Sequence, residues 1–298
     1  MTSFDDLQAR FVAAELAALG RSSPTGRVLQ PALPLPARDD QALWSLFDAI
    51  PLDTPLYAAS GTEFFTAYST LIGALVAGTN PLDPIAAAKR RLADWGTKPP
   101  AWSVGSAGLT KQLKAAQSLS FPFSSPAGPD TGFWGLWAGS APALGPSVQF
   151  AAGDVSATLS FDHVLNFAPT PGDWYVSSTM SLAYNTRSGA PWPSGSTVTW
   201  DSTFGPNGTM PRFLAALTVV SGLKARVTST AAFSAADQAL ILLGATAGLW
   251  PYYLDAAGGA ETSVRFDASG QIAIATDNRS SAPIVLAATI LSAGEFLT

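Results

Sequence analysis

Cysteine is absent from this chain, and histidine occurs once, at His163. The first absence excludes disulfides, thiolate metal sites and cysteine nucleophiles. The second leaves no zinc site with two histidines within one chain, and any histidine-based triad must use His163. Charge is scarce as well. Asp, Glu, Lys and Arg make up 12% of the residues, against about 25% in ordinary domains. The net charge is −5 and the longest basic run is Lys89-Arg90-Arg91. The basic stripe that displaces counterions is missing, so no nucleic-acid partner is expected.

Several chemical signatures are missing too. No phosphate-loop pattern, no G-x-G-x-x-G dinucleotide pattern and no G-x-S-x-G elbow occurs. No cofactor and no metal site is therefore expected. The N-terminal residues Met1-Thr2-Ser3-Phe4-Asp5-Asp6 are acidic where a signal peptide would be basic and then apolar. The chain is expected to be cytoplasmic as synthesised, with release left to a route that needs no signal peptide.

What the chain has is apolar and aromatic surface. Hydrophobic residues reach 47%, with nine tryptophans. A disordered chain is excluded, because disorder goes with charge and few aromatics. The outer surface must be finished largely with Ser, Thr, Gly and Ala. Such a surface calls for cover by a like subunit, a lipid or a glycan surface.

Along the first 118 residues the apolar spacing is mostly helical. Residues 4–19 predict an amphipathic helix, and 40–50 a shorter one. Residues 62–78 predict the most apolar helix, within a stretch from Phe64 to Leu82 that holds no charge. Asp83 followed by Pro84 is a helix start, since Pro at the first position loses no hydrogen bond. A weaker helix is expected over 107–118. Between the first two helices, Pro24, Pro31, Pro34 and Pro36 predict an extended, polyproline-like strap over 24–38. Residues 119–147 read as an aromatic Pro/Gly-rich connector carrying Phe133-Trp134-Gly135-Leu136-Trp137.

From 148 to 298 the period changes to two. Val155, Ala157, Leu159 and Phe161 alternate with Ser156, Thr158 and Ser160, which marks a half-buried strand. Similar alternation predicts strands over 174–184 and 197–204. Further strands are expected at 213–220, 224–230, 261–267, 271–276 and 284–290. Ser234 caps a helix, apolar on most sides after Asp237, that is expected to be buried in a core or in lipid. The fold class is α+β: a helical N-terminal region, then an antiparallel sandwich or barrel-like domain with one packed helix.

Two functional classes follow. The first is a non-catalytic binding or self-assembling protein, a homo-oligomer in its plainest form. A membrane-interacting, pore-forming variant would insert residues 64–82 or 235–250. Trp134, Trp137, Trp174 and Trp200 are the candidate ligand-binding side chains, because indole rings stack on sugars and sit well at wet interfaces. The second class is a carboxylate-based hydrolase acting on a glycan. Asp162 or Asp173 would then be the acid or base, with His163 beside them as the lone histidine.

Overall fold

The computed structural model describes residues 3–21, 24–36, 38–80, 82–126, 133–137, 150–278 and 282–298. Most of the Pro/Gly-rich connector therefore lies outside the described residues. The N-terminal helices are α1 (Ser3–Ala18), α2 (Asp40–Asp48), α3 (Phe64–Ala74), α4 (Pro84–Trp95) and α5 (Ser106–Lys114). Four more follow: α6 (Ser177–Asn185), α7 (Trp200–Phe204), α8 (Ala235–Gly244) and α9 (Ala293–Leu297). The strands begin with β1 (Gly26–Pro34), β2 (Ala49–Pro51), β3 (Ala59–Glu63), β4 (Leu119–Ser125), β5 (Val155–Phe161) and β6 (His163–Phe167). They end with β7 (Arg212–Ser221), β8 (Lys224–Ala232), β9 (Ala260–Phe266), β10 (Gln271–Asn278) and β11 (Ile284–Ser292). The protein is α+β with antiparallel sheets, as its alternating apolar pattern predicts.

Two compact units divide the chain. Unit 1 comprises residues 1–37, 110–166 and 218–287; unit 2 comprises 38–109, 167–217 and 288–298.

In unit 1 a five-stranded antiparallel sheet runs β4-β5-β8-β10-β9. A second sheet, ordered β1-β11-β7-β6, contributes its residues 26–34, 284–287, 218–221 and 163–166 to this unit. The two sheets share one core, the arrangement of a sandwich. Val155, Leu159, Ala225, Val227 and Ile274 enter it from the first sheet, and Ala32, Val220, Ile284 and Leu286 from the second. The central aromatic is Trp250, fully buried and ringed by Phe4, Phe11, Phe123 and Phe150 at centroid distances of 4.9–6.3 Å. Its indole N–H donates to Gln8 Oε1 at 2.6 Å, so the polar edge of a buried ring is satisfied.

Both proline-bearing strands of this unit, β1 and β4, lie at sheet edges. An edge strand tolerates proline because one side of it has no ladder bond to lose. This corrects two sequence expectations. Residues 26–34 are a strand and not a polyproline strap, and residues 119–125, read as connector, pair with β5 from Leu119 opposite Phe161 to Ser125 opposite Val155.

In unit 2 the core forms around Trp174, which is fully buried and meets Phe65, Tyr68 and Trp102 edge-on. Its N–H donates to Ala101 O at 2.7 Å. Helix α3 is anchored by Asp48, whose Oδ1 accepts from Phe65 N at 2.9 Å. Burial pushes that carboxyl up to about 6 against the lowering effect of the Phe65 hydrogen bond. Asp83 caps α4 as expected, accepting from Ile85 N at 2.7 Å.

Three further expectations are corrected. Residues 177–185 are helical although 174–184 alternate, and their buried residues are Thr179, Met180 and Ala183. Residues 200–204 are a short helix closed by a Thr199–Ser202 capping box. Helix α8 buries only Ile241 completely, leaving Leu242 at 51% and Leu243 at 78% exposure. Among the described residues no helix is long and apolar enough to cross a membrane. Helix α3 stops after 11 residues.

One group in unit 1 opposes its surroundings. Glu15 on α1 is fully buried with neither carboxylate oxygen hydrogen-bonded, and burial pushes it up to about 8. The Tyr252 hydroxyl faces it and lowers it somewhat, without the two meeting at hydrogen-bond geometry. A carboxyl whose folded value lies above its ordinary one binds its proton more tightly in the folded state. Stability therefore falls as pH rises from about 4.5 to about 8 and levels off above that. Urea denaturation at pH 5 and pH 9 should show Glu15→Gln removing on the order of 4 kcal/mol of that pH dependence. Parallel pH slopes for the two proteins would show that Glu15 does not titrate in this range.

Candidate functional site

A cleft of about 550 Å³ opens at one end of the five-stranded sheet of unit 1. Four backbone segments converge there. They are the β5–β6 junction (Asp162, His163), the β7–β8 turn (Ser221, Gly222), the start of β8 (Lys224, Arg226) and the end of β10 (Asp277, Asn278). Helix α5 adds Thr110, Leu113 and Lys114.

Strand alternation supplies the charged wall. In β8 every second residue is exposed, so Lys224 and Arg226 project from the outer face while Ala225 and Val227 enter the core. Lys224 lies opposite Ser160 on one side and Asp277 on the other. Arg226 reaches diagonally across to Asp277, its Nη2 donating to both carboxylate oxygens at 2.9 and 3.1 Å. Asn278 is held beneath by its N–H to Leu223 O at 2.8 Å and its Nδ2 to Gly258 O at 3.2 Å.

The turn between β7 and β8 is built around Asp162. Its N–H donates to Ser221 O at 2.9 Å. Its carboxylate rests on Gly222, which has φ +65°, a conformation L-residues rarely adopt. A Cβ placed on Gly222 would fall 2.0 Å from Asp162 Oδ2. Asp162 Oδ1 then meets Lys224 Nζ at 3.6 Å, a loose pair with both side chains more than half exposed. Such a pair stabilises little by itself, so Lys224 is free to take another anion.

His163 follows immediately and is fixed from the α5–β4 loop. Its Nδ1 lies 2.9 Å from Ala116 O, and Val164 N–H donates to Gln117 O at 2.8 Å. A carbonyl can only accept, so Nδ1 carries the proton. In the neutral ring Nε2 is therefore an acceptor, and no protein group among the described residues is bonded to it. Lys114, exposed at the last turn of α5, has no ion-pair partner among the described residues.

Of the residues singled out from sequence, Asp162 and His163 thus line one cleft. Asp173 belongs to unit 2, where its side chain is exposed and its backbone carbonyl accepts from Arg91 at 3.3 Å. Trp137, Trp174 and Trp200 do not line the cleft. Trp174 is enclosed in the core of unit 2, which leaves no ring face open. Trp200 is half-buried, donates to Tyr184 O at 2.7 Å and carries the Arg187 guanidinium on its ring at 4.4 Å. Trp137 packs against the core of unit 1 and bridges to Leu249. The side chain of Trp134 lies outside the described residues. No three His, Asp or Glu side chains gather where a metal ion could sit, among the described residues.

Sequence reasoning missed Lys114, Lys224, Arg226 and Asp277. Lys224 and Arg226 were legible in principle, as a basic pair two residues apart on the polar face of an expected strand. Comparison with family models, curated proteins and solved structures returns no match.

The Gly222 contact makes a direct prediction. Gly222→Ala and Gly222→Asn should both lose about 1–3 kcal/mol in urea denaturation, through the strained φ and the displaced Asp162. Asn accepts positive φ readily. An undisturbed Gly222→Asn protein would therefore show that the Asp162 contact carries no weight.

Proposed function

We propose that the protein is a non-catalytic binding protein and that the unit 1 cleft holds a small polar ligand. The observation that carries this reading is the composition of the cleft. Among the described residues it joins a cation without an ion-pair partner (Lys114), a second held only loosely (Lys224), and a histidine whose Nδ1 is tied and whose Nε2 is open. Such groups around an open concavity bind by charge and hydrogen bonding. Glycan hydrolysis is the weaker reading. It needs two carboxylates set on either side of a glycosidic bond. In this cleft Asp277 is neutralised by Arg226 at 2.9 Å, which leaves Asp162 without a second free carboxylate to work with.

The test is a panel of neutral sugars, carboxylates, amines and phosphate compounds, read by thermal shift and by the NMR signal of the single histidine. At least one compound should raise the midpoint and move the His163 resonance, and Thr110→Trp, which fills the cleft, should abolish both effects. Release of product from chromogenic glycosides, lost in Asp162→Asn, would put a hydrolase in place of a binding protein.

Self-assembly is a second reading, favoured by the exposed Leu242 and Leu243 of α8. Large apolar side chains side by side on one short helix suit burial against a second copy of the chain. The wild-type chain should then elute as an oligomer with light-scattering mass to match, and Leu243→Glu should reduce it to the 30.8 kDa monomer. A wild-type monomer that binds neutral vesicles through the same leucines would assign the helix to lipid contact instead.

A further inference from the structure

We propose that the ligand of the unit 1 cleft is a small phosphorylated polyol, with its phosphate on Lys114 and Lys224 and its hydroxyls on Asp162 and His163. This rests on the binding reading above and adds the chemical class. The argument begins with the distribution of charge. The lining carries Lys114, Lys224 and Arg226 against Asp162 and Asp277. Arg226 and Asp277 neutralise each other at 2.9 Å and leave the pair's net charge at zero. The remaining groups are two lysines and one carboxylate. An anionic group entering the cleft therefore meets an excess of positive charge, and an ammonium does not.

Phosphate chemistry suits lysine here. A lysine ammonium is a point charge with three rotatable donors, which binds a tetrahedral anion without the planar fork that a carboxylate prefers. Lys224 can swing from Asp162, since their contact at 3.6 Å is longer than a good charge-assisted hydrogen bond. Asp162 would repel a second anion placed directly on it, so the phosphate belongs toward Lys114. Beside it, the Asp162 carboxylate accepts only, and so calls for hydroxyl donors on the same ligand. His163 Nε2 is a further acceptor for such a hydroxyl.

Size fits the same class. A volume of about 550 Å³ exceeds what an inorganic phosphate fills and lies within the range of small-ligand sites. Thr110, Ser221 and Asn278 make the remainder of the lining polar, which suits a polyol better than an apolar ligand.

The chain's one histidine makes the test local. Histidine-selective NMR of the full tag-free chain is recorded during titration with inorganic phosphate, glycerol 3-phosphate and glycerol, at constant pH and ionic strength. Inorganic phosphate and glycerol 3-phosphate should each shift the His163 signal saturably, with glycerol 3-phosphate binding at least several-fold more tightly and glycerol alone producing no saturation. Lys114→Gln and Lys224→Gln should each weaken glycerol 3-phosphate by about tenfold, with thermal midpoints within a degree or two of wild type. Absence of a saturable shift with either phosphate compound would overturn the proposal. So would saturation that survives unchanged in the double Lys114→Gln, Lys224→Gln protein. If other members of the small-molecule panel still move His163, the phosphate assignment alone has failed. If nothing moves it, the binding reading has failed as well.

Discussion

A single carboxylate resting on a glycine holds the charged end of unit 1 together. Asp162 gives its N–H to Ser221, lays its side chain on Gly222 and offers its outer oxygen to Lys224. That one residue ties the β5–β6 junction to the β7–β8 turn. It thereby fixes His163, the next residue, and the start of β8, from which both Lys224 and Arg226 project. The glycine is required twice over, by its positive φ and by the absence of a Cβ. The ladders to β5 and β10 hold β8 in register, and this contact adds a link between the β5–β6 junction and the β7–β8 turn at the mouth of the cleft.

Most of the architecture was legible because it follows from period and capping. The alternation of β5 and β8, the Asp83-Pro84 start of α4 and the Ser234 cap of α8 each specify local structure without help from distant residues. The misreadings share a cause. In 174–184 the apolar set Val176, Met180 and Tyr184 is spaced by four, which satisfies a strand's period of two and a helix's 3.6 alike. Tertiary contacts decide it, including the Thr179 hydroxyl donating to Pro84 O at 2.7 Å. In 197–204 the capping box uses Ser202 where Glu or Gln is usual, so its signature was easy to pass over.

The candidate site was half legible for a related reason. Asp162 and His163 stood out by residue type, but the cations that give the cleft its character lie far from them in sequence. Lys114 comes from a helix, and Lys224 and Arg226 from a strand read only for its alternation. Nothing in the linear order announces that these three meet. Asp173 and the tryptophans were chosen by the same logic of residue type, and the fold assigns them elsewhere: Asp173 to an exposed turn, Trp174 to a packed core.

The prolines at the sheet edges have a consequence of another kind. A strand at the margin of a sheet offers a row of free N–H and C=O groups on which a stray strand from another molecule can build, and most proteins guard it with charge. This chain has little charge to spend. At the β4 margin of the five-stranded sheet, Pro122 interrupts that row with a residue that has no hydrogen to donate. The opposite margin of the five-stranded sheet, β9, keeps Glu261 and Arg265. Two chemistries thus guard the two ends of one sheet, a missing backbone hydrogen at one margin and ionic side chains at the other.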